Sequence, residues 1–142
     1  MTQFNEIKEE IIKRAHEANA CAEQYKRAYS SASIEELFVV IKDNFYWCSR
    51  NKVIDQEFIY EYRDVFAKNN IFCNVNSAEG YILVDGNATV RACDNATVEA
   101  CDNTYVISYY EIECKLNNNA IHRIISTNEL HYCSEEIKLV KV

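Results

Sequence analysis

The sequence contains no proline and only two glycines, Gly80 and Gly86, among its 142 residues. Collagen-like repeats, proline-rich linkers and flexible Gly/Ser tethers need many of these residues, so all three classes are excluded. Disordered chains are poor in aromatic residues, whereas this sequence has ten Tyr, six Phe and one Trp. The length and composition predict one folded domain or two small ones.

Signals for membranes, secretion and metal binding are also missing. No apolar run approaches the roughly 20 residues that span a bilayer, and residues 1–10 contain no apolar stretch typical of a secretory signal. We therefore expect a cytoplasmic protein that does not bind membranes. The seven cysteines include no Cys-x-x-Cys pair, which is the usual spacing of zinc ligands. Free thiols are expected, and no metal or cofactor is predicted.

Enzyme motifs are scarce. Two glycines cannot form a glycine-rich phosphate loop, and no Ser/His/Asp or Cys/His arrangement is recognisable in the sequence. His122 falls in a column of valines, so we expect a hydrogen-bonded core histidine. His131 lies close to Glu129, where a surface ion pair is predicted. The chain is therefore predicted not to be an enzyme.

Hydrophobic periodicity predicts three helices in the first half of the chain. Apolar residues recur at steps of three and four over 4–29, as in an amphipathic helix. A second helix is expected over 34–49, and Ser33 with Glu36 forms a capping box at its start. A third is expected over 56–68. The aromatic residues of these helices, Trp47 included, are expected to form a shared core rather than a ligand groove.

The second half of the chain repeats with a period of eight residues. Asp85-Gly-Asn-Ala-Thr-Val-Arg-Ala92 is followed by Cys93-Asp-Asn-Ala-Thr-Val-Glu-Ala100 and by Cys101-Asp-Asn-Thr-Tyr-Val-Ile-Ser108. The alternation within each octet predicts a five-residue strand. The Asp and Asn residues between strands are typical of turns. The repeat continues less regularly on both sides of these three octets, and seven octets in all cover about residues 77–132.

Two octets can form one 16-residue coil of a parallel solenoid. The predicted fold class is therefore α+β, with a helical N-terminal domain (1–76) followed by a short β-solenoid of octapeptide repeats (77–142). An antiparallel β-meander with one octet per strand has the same period and is the alternative.

A 16-residue coil also predicts which side chains share an outer face. One face would be apolar enough to pack on the helices or on a partner, with columns of Thr89, Tyr105 and Ile121 beside Arg91, Ile107 and Arg123. The other would be polar, mostly acidic and exposed to water, with columns of Tyr81, Thr97, Glu113 and Glu129 beside Leu83, Glu99, Lys115 and His131.

Four segments resemble a family of small proteins from Bacteroidetes and their prophages, which pair a helical leader with degenerate Asn-Ala-Thr-Val octets. These segments are Ser-Ile-Glu-Glu-Leu (33–37), Asp-Asn-Phe-Tyr-Trp-Cys (43–48), Asn-Ile-Phe-Cys-Asn (70–74) and the octets of 85–108. The resemblance implies a bacterial cytoplasm and a phage or mobile-element gene. It assigns no catalytic or binding residue.

A formal net charge of −7 argues against direct nucleic-acid binding, which depends on Lys and Arg, and is compatible with a basic protein partner. Together with the resemblance, it leads to the hypothesis of a non-catalytic inhibitor of a host defence nuclease, such as a CRISPR effector. The acidic residues that would contact the nuclease are Asp94, Glu99, Asp102, Glu113 and Glu129. The alternative is an adaptor that self-associates, for example as a homodimer, through the solenoid end or through Tyr105, Ile107 and Ile121.

Overall fold

The computed structural model of the chain describes residues 2–132 and 139–141, with the backbone alone at 77–79, 94 and 139–141. Contacts divide it into two compact units, 1–55 and 56–142. Helices and strands together confirm the α+β class.

The first unit contains four helices: α1 (Gln3–Glu17), α2 (Ala22–Tyr29), α3 (Ile34–Asp43) and α4 (Phe45–Arg50). The predicted helix over 4–29 is therefore wrong as one element. Asn19 ends α1 with a left-handed φ of 60°. The N–H groups of Asn19 and Ala20 donate to the carbonyls of His16 and Ala15, which is the Schellman arrangement that closes a helix.

The capping box at the start of α3 is confirmed. The hydroxyl of Ser33 accepts from the N–H of Glu36 at 3.2 Å, and the Glu36 carboxylate accepts from the N–H of Ala32 at 2.7 Å. The expected helix over 34–49 breaks at Asn44, which adopts φ −122° and ψ 31°. Its side-chain amide donates to the Val40 carbonyl at 2.9 Å, in place of the main-chain N–H that a continuous helix would supply.

The second unit begins with two short helices and continues with eight strands. The helices are α5 (Gln56–Glu61) and α6 (Arg63–Lys68); the strands are β1 (Ile71–Cys73), β2 (Ser77–Val84), β3 (Thr89–Ala100), β4 (Tyr105–Ser108), β5 (Glu113–Leu116), β6 (Ile121–Ile124), β7 (Glu129–Tyr132) and β8 (Leu139–Lys141). We expected the boundary between units after residue 76. It lies after residue 55 because both helices contact β1.

The octet strands pair in parallel with a constant offset of 16 residues. Thr89 pairs with Tyr105 and Tyr105 with Ile121, while Tyr81 pairs with Thr97 and Thr97 with Glu113. We call the pairing of 89–92 with β4 and β6 the first ladder. The second ladder comprises β2, 97–100 and β5, so the long strand β3 belongs to both, and β1 adds to its edge at an offset of ten residues, with Ile71 opposite Tyr81. Parallel pairing contradicts the antiparallel meander for these strands.

Strand β7 reverses direction instead of continuing the parallel pairing. It pairs antiparallel with β6, so that Glu129 lies opposite Ile124 and His131 opposite His122, and β8 pairs antiparallel with β7. A turn over 125–128 makes this possible, and Asn128 has a left-handed φ of 60° there. The expectation that Glu129 and His131 extend the columns of the second ladder is therefore wrong.

Turns between the parallel strands, which we call corners, repeat with the same offset. Gly86, Asp102 and Asn118 follow one another at 16-residue intervals, and all have left-handed φ values between 57° and 68°. Neighbouring corners are joined by side chains. The Asp102 carboxylate accepts from the N–H of Gly86 at 3.1 Å, and the Asn118 carbonyl accepts from the N–H of Asp102 at 3.3 Å. Asx side chains thus stabilise corners that would otherwise favour glycine.

Inward-facing side chains of the two ladders form one apolar core. Its buried members are Ile82, Val84, Val90, Ala92, Ala96, Val98, Ala100, Val106, Ile112 and Ala120. In β4 and β6 buried positions alternate with partly exposed ones, as the period of two in a strand requires. Several alanines in this set keep the interior between the ladders thin.

The same substitution, to Asp, at two adjacent positions of β4 tests this alternation. Val106 is fully buried, whereas Ile107 is partly exposed. We expect Val106→Asp to lower the free energy of unfolding by about 3 kcal/mol or more, because it buries a carboxylate without a partner. The matched variant Ile107→Asp should cost less than about 1 kcal/mol. Urea denaturation measures both, and equal losses would contradict the assignment of inward and outward positions.

Candidate functional site

The outward columns of the first ladder form a continuous surface. The register aligns Thr89, Tyr105 and Ile121 in one column, as predicted. The neighbouring column contains Arg91, Ile107 and Arg123. Strand β7 extends this surface, since Tyr132 lies opposite Ile121 and Leu130 opposite Arg123. We call the surface the outer face; its residues are Thr89, Arg91, Tyr105, Ile107, Ile121, Arg123, Leu130 and Tyr132.

The outer face is apolar at its centre and basic beside it. Thr89 and Arg91 are exposed, and the other six residues are partly exposed. The set contains no acidic side chain. Neither Arg91 nor Arg123 makes an ion pair within the described part of the chain. Sequence reasoning missed Leu130 and Tyr132, because the reversal of β7 brings them to this side.

The second ladder does not form the exposed acidic wall that we expected. Its columns align as predicted through Tyr81, Thr97 and Glu113 and through Leu83, Glu99 and Lys115. However, only 3% of Glu99 and 5% of Leu83 is exposed. The Glu99 carboxylate accepts from the Asn117 side-chain amide at 3.2 Å. The prediction of a water-exposed position is therefore wrong for Glu99, because its carboxylate is buried and bound to Asn117, directly after β5.

The five predicted acidic contact residues do not form one cluster of exposed carboxylates. Glu113 is exposed and lies 3.3 Å from the Thr97 hydroxyl, which donates to it. Asp102 is exposed at a corner, and its carboxylate is bound to the Gly86 N–H. Asp94 lies in β3, and its side chain is outside the described residues. Glu129 belongs to β7, beside the first ladder. A binding role for any of them stays a prediction.

A polar pair is buried inside the first ladder. His122 is 4% exposed, and its Nε2 lies 2.7 Å from the Ser108 hydroxyl, which donates to the Tyr110 carbonyl at 2.7 Å. The imidazole is therefore the donor in the pair, and the expected hydrogen-bonded core histidine is confirmed. Because Ser108 is buried and its proton is engaged by a main-chain carbonyl, the pair serves packing rather than nucleophilic attack.

His131 lies beside this pair and not on an exposed acidic face. Its ring centroid is 6.0 Å from that of His122, and its Nε2 is 3.6 Å from the Glu129 carboxylate. The predicted contact between His131 and Glu129 is therefore confirmed, but it lies beside the first ladder and not on the second, because β7 pairs with β6. Burial, together with the smaller effect of the neighbouring His131, lowers the pKa of His122 to about 4.

No cysteine of the described residues belongs to a disulfide or to a cluster of metal ligands. The six described cysteines are free thiols, and burial raises the pKa of Cys48 and of Cys114 to about 12. Within residues 2–132 and 139–141, no cluster of three His, Cys, Asp or Glu side chains has the arrangement of a metal site. Nor does any helix in that part of the chain have the length and apolar character needed to cross a bilayer.

Comparisons with protein-family models, with curated proteins and with solved structures found no match to this chain. The resemblance to Bacteroidetes and prophage proteins thus remains a prediction.

The depressed pKa of His122 predicts a loss of stability in mild acid. Between pH 6.5 and about 4 the unfolded chain binds a proton at this residue that the folded chain does not, so stability falls as the pH falls. We expect His122 to contribute up to about 3 kcal/mol to this loss. Urea denaturation across the window should show a shallower pH slope for His122→Gln.

His16 provides the matched control, because it is exposed on α1. The variant His16→Gln should keep the pH slope of the original protein. An unchanged slope in His122→Gln would show that His122 titrates normally, and that the buried neutral imidazole is misassigned.

Proposed function

We propose that this chain is a non-catalytic protein-interaction module whose second unit is a short β-solenoid. The solenoid proposal is supported by parallel pairs at a constant offset of 16 residues and by left-handed corners at the same interval. Such a scaffold holds outward side chains in fixed columns. Pre-organised side chains lose little conformational entropy on binding, which favours affinity.

The outer face is the observation that carries this proposal. Tyr105, Ile107 and Ile121 lie next to one another at its centre, and Arg91 and Arg123 lie on either side of Ile107 in its column. Tyrosine and arginine are enriched in the cores of protein interfaces, and central apolar residues surrounded by polar groups dominate binding energies. The composition of this face is therefore that of an interface.

The positive charge of the outer face favours one kind of partner over another. A face-to-face dimer would bring four guanidinium groups together without an acidic residue on either face, and like charges in an interface are unfavourable. A partner with carboxylates around an apolar centre would instead pair with Arg91 and Arg123. We therefore propose a different protein with an apolar and acidic surface as the partner.

The hypothesis of a host-nuclease inhibitor is a second proposal. It requires a basic partner, such as the nucleic-acid-binding surface of a defence nuclease. Among the five acidic residues first considered, Asp102 and Glu113 are exposed and could contact such a surface. Their carboxylates project from a corner and from the second ladder, so this proposal uses a surface distinct from the outer face.

Selection of peptides from a random library separates the two proposals. The immobilised protein selects the peptides that bind. The immobilised Ile107→Asp variant then removes the peptides that bind outside the outer face. We expect enriched peptides to carry an aromatic or aliphatic residue flanked by Asp or Glu. Enrichment of Lys- and Arg-rich peptides would contradict binding through the outer face and would favour the second proposal.

Charge reversal then locates the site. For an enriched acidic peptide, we expect the double variant Arg91→Glu with Arg123→Glu to weaken binding about tenfold or more, because two charge-assisted contacts become repulsive. The matched reversal, Asp102→Lys with Glu113→Lys, should leave the affinity unchanged. Isothermal titration calorimetry measures both. The opposite pattern would contradict the assignment.

A further inference from the structure

A cavity in the first unit is independent of the proposed interaction surface. It has a volume of about 230 Å³ and lies among α1, α2, α3 and α4. Every side chain that lines it is uncharged. Trp47, expected to pack fully in the core, is 37% exposed and forms part of the wall together with Tyr25.

Three alanines keep this cavity open. Ala15 on α1, Ala28 on α2 and Ala20 between the two helices all line it, and a larger aliphatic residue at any of them would occupy the space. Protein interiors normally contain few voids larger than a water molecule. An apolar cavity of about 150 Å³ is already large enough to bind benzene. The cavity here therefore has room for a two-ring molecule.

Two side-chain amides on the wall are held in known orientations. Asn44 donates through Nδ2 to the Val40 carbonyl at 2.9 Å and to Gln24 Oε1 at 3.1 Å. Gln24 Oε1 also accepts from the Arg27 guanidinium at 2.7 Å. These bonds fix which amide atom is oxygen and which is nitrogen.

The remaining amide atoms are one donor and one acceptor. Gln24 Nε2 and Asn44 Oδ1 have no hydrogen-bond partner among the described residues. They belong to neighbouring side chains that both line the cavity. A cyclic amide is complementary to this pair, because its carbonyl accepts a hydrogen bond and its adjacent N–H donates one.

We propose that the first unit binds a small, uncharged, planar ring compound with a cyclic-amide edge. The ring packs between the aromatic and aliphatic walls near Trp47 and Tyr25. Its carbonyl accepts from Gln24 Nε2, and its N–H donates to Asn44 Oδ1. A charged ligand is disfavoured, because the lining has no group of opposite charge to compensate for lost hydration.

The chain's one tryptophan makes binding directly observable. Isoquinolin-1(2H)-one is titrated into the isotope-labelled full chain, and two-dimensional NMR follows the Trp47 indole N–H and the side-chain amides of Gln24 and Asn44. We expect saturable shifts of all three signals at one ligand per chain. The absence of saturable shifts would overturn the proposal.

Two related compounds test the polar edge. N-methylisoquinolin-1-one lacks the donor and naphthalene lacks both polar groups, so both should bind about tenfold more weakly than the parent lactam. Equal affinities for all three compounds would show that the cavity binds rings without using Gln24 and Asn44, and would overturn recognition of a cyclic amide.

Matched variants locate the site. Ala28→Leu should abolish binding because it fills the cavity, whereas Ala22→Leu, at an exposed position of the same helix, should leave binding unchanged. Circular dichroism checks that both variants fold. Gln24→Leu should weaken lactam binding about tenfold and leave naphthalene binding unchanged, which keeps the test decisive if Ala28→Leu unfolds. Undiminished lactam binding by a folded Ala28→Leu variant, or by Gln24→Leu, would overturn the proposal.

Discussion

Parallel pairing at a constant 16-residue offset is the constraint on which the second unit depends. It aligns Val90 with Val106 and His122 inside the first ladder, and it aligns Thr89 with Tyr105 and Ile121 outside. The same offset brings each left-handed corner next to the previous one, where Asp102 and Asn118 bond to neighbouring main-chain amides. Core, surface columns and corners therefore follow from one pairing rule.

The first unit is organised differently, by helix ends rather than by repeats. Left-handed Asn19 and the break at Asn44 separate the helices, and the cavity is lined by Asn44 and by Ala20, the residue after Asn19. Asn44 has two roles, since its side-chain amide donates a hydrogen bond to the Val40 carbonyl and another to Gln24, which orients the Gln24 side chain. The local feature that interrupts a helix thus also builds the polar edge of a candidate ligand site.

The sequence alone predicted the α+β class, the columns of the first ladder and the capping box of α3, because repeat period and capping chemistry are local properties. It missed the helix breaks, because the apolar periodicity of 4–29 continues across Asn19. It also missed the reversal of β7. Alternation around Glu129 and His131 is the same for a parallel or an antiparallel strand, and only the turn at 125–128 decides the direction. Period two likewise placed Glu99 on the outward side but could not reveal its burial.

The most direct test of the account measures main-chain pairing in the second unit. The N–H of Tyr105 donates to the Ala88 carbonyl and the N–H of Ile121 to the Thr104 carbonyl, each at 3.0 Å. NMR scalar couplings across hydrogen bonds identify such pairs atom by atom. We expect couplings from Tyr105 to Ala88 and from Ile121 to Thr104. Couplings between strands of consecutive octets would instead show a meander and would contradict the 16-residue pairing.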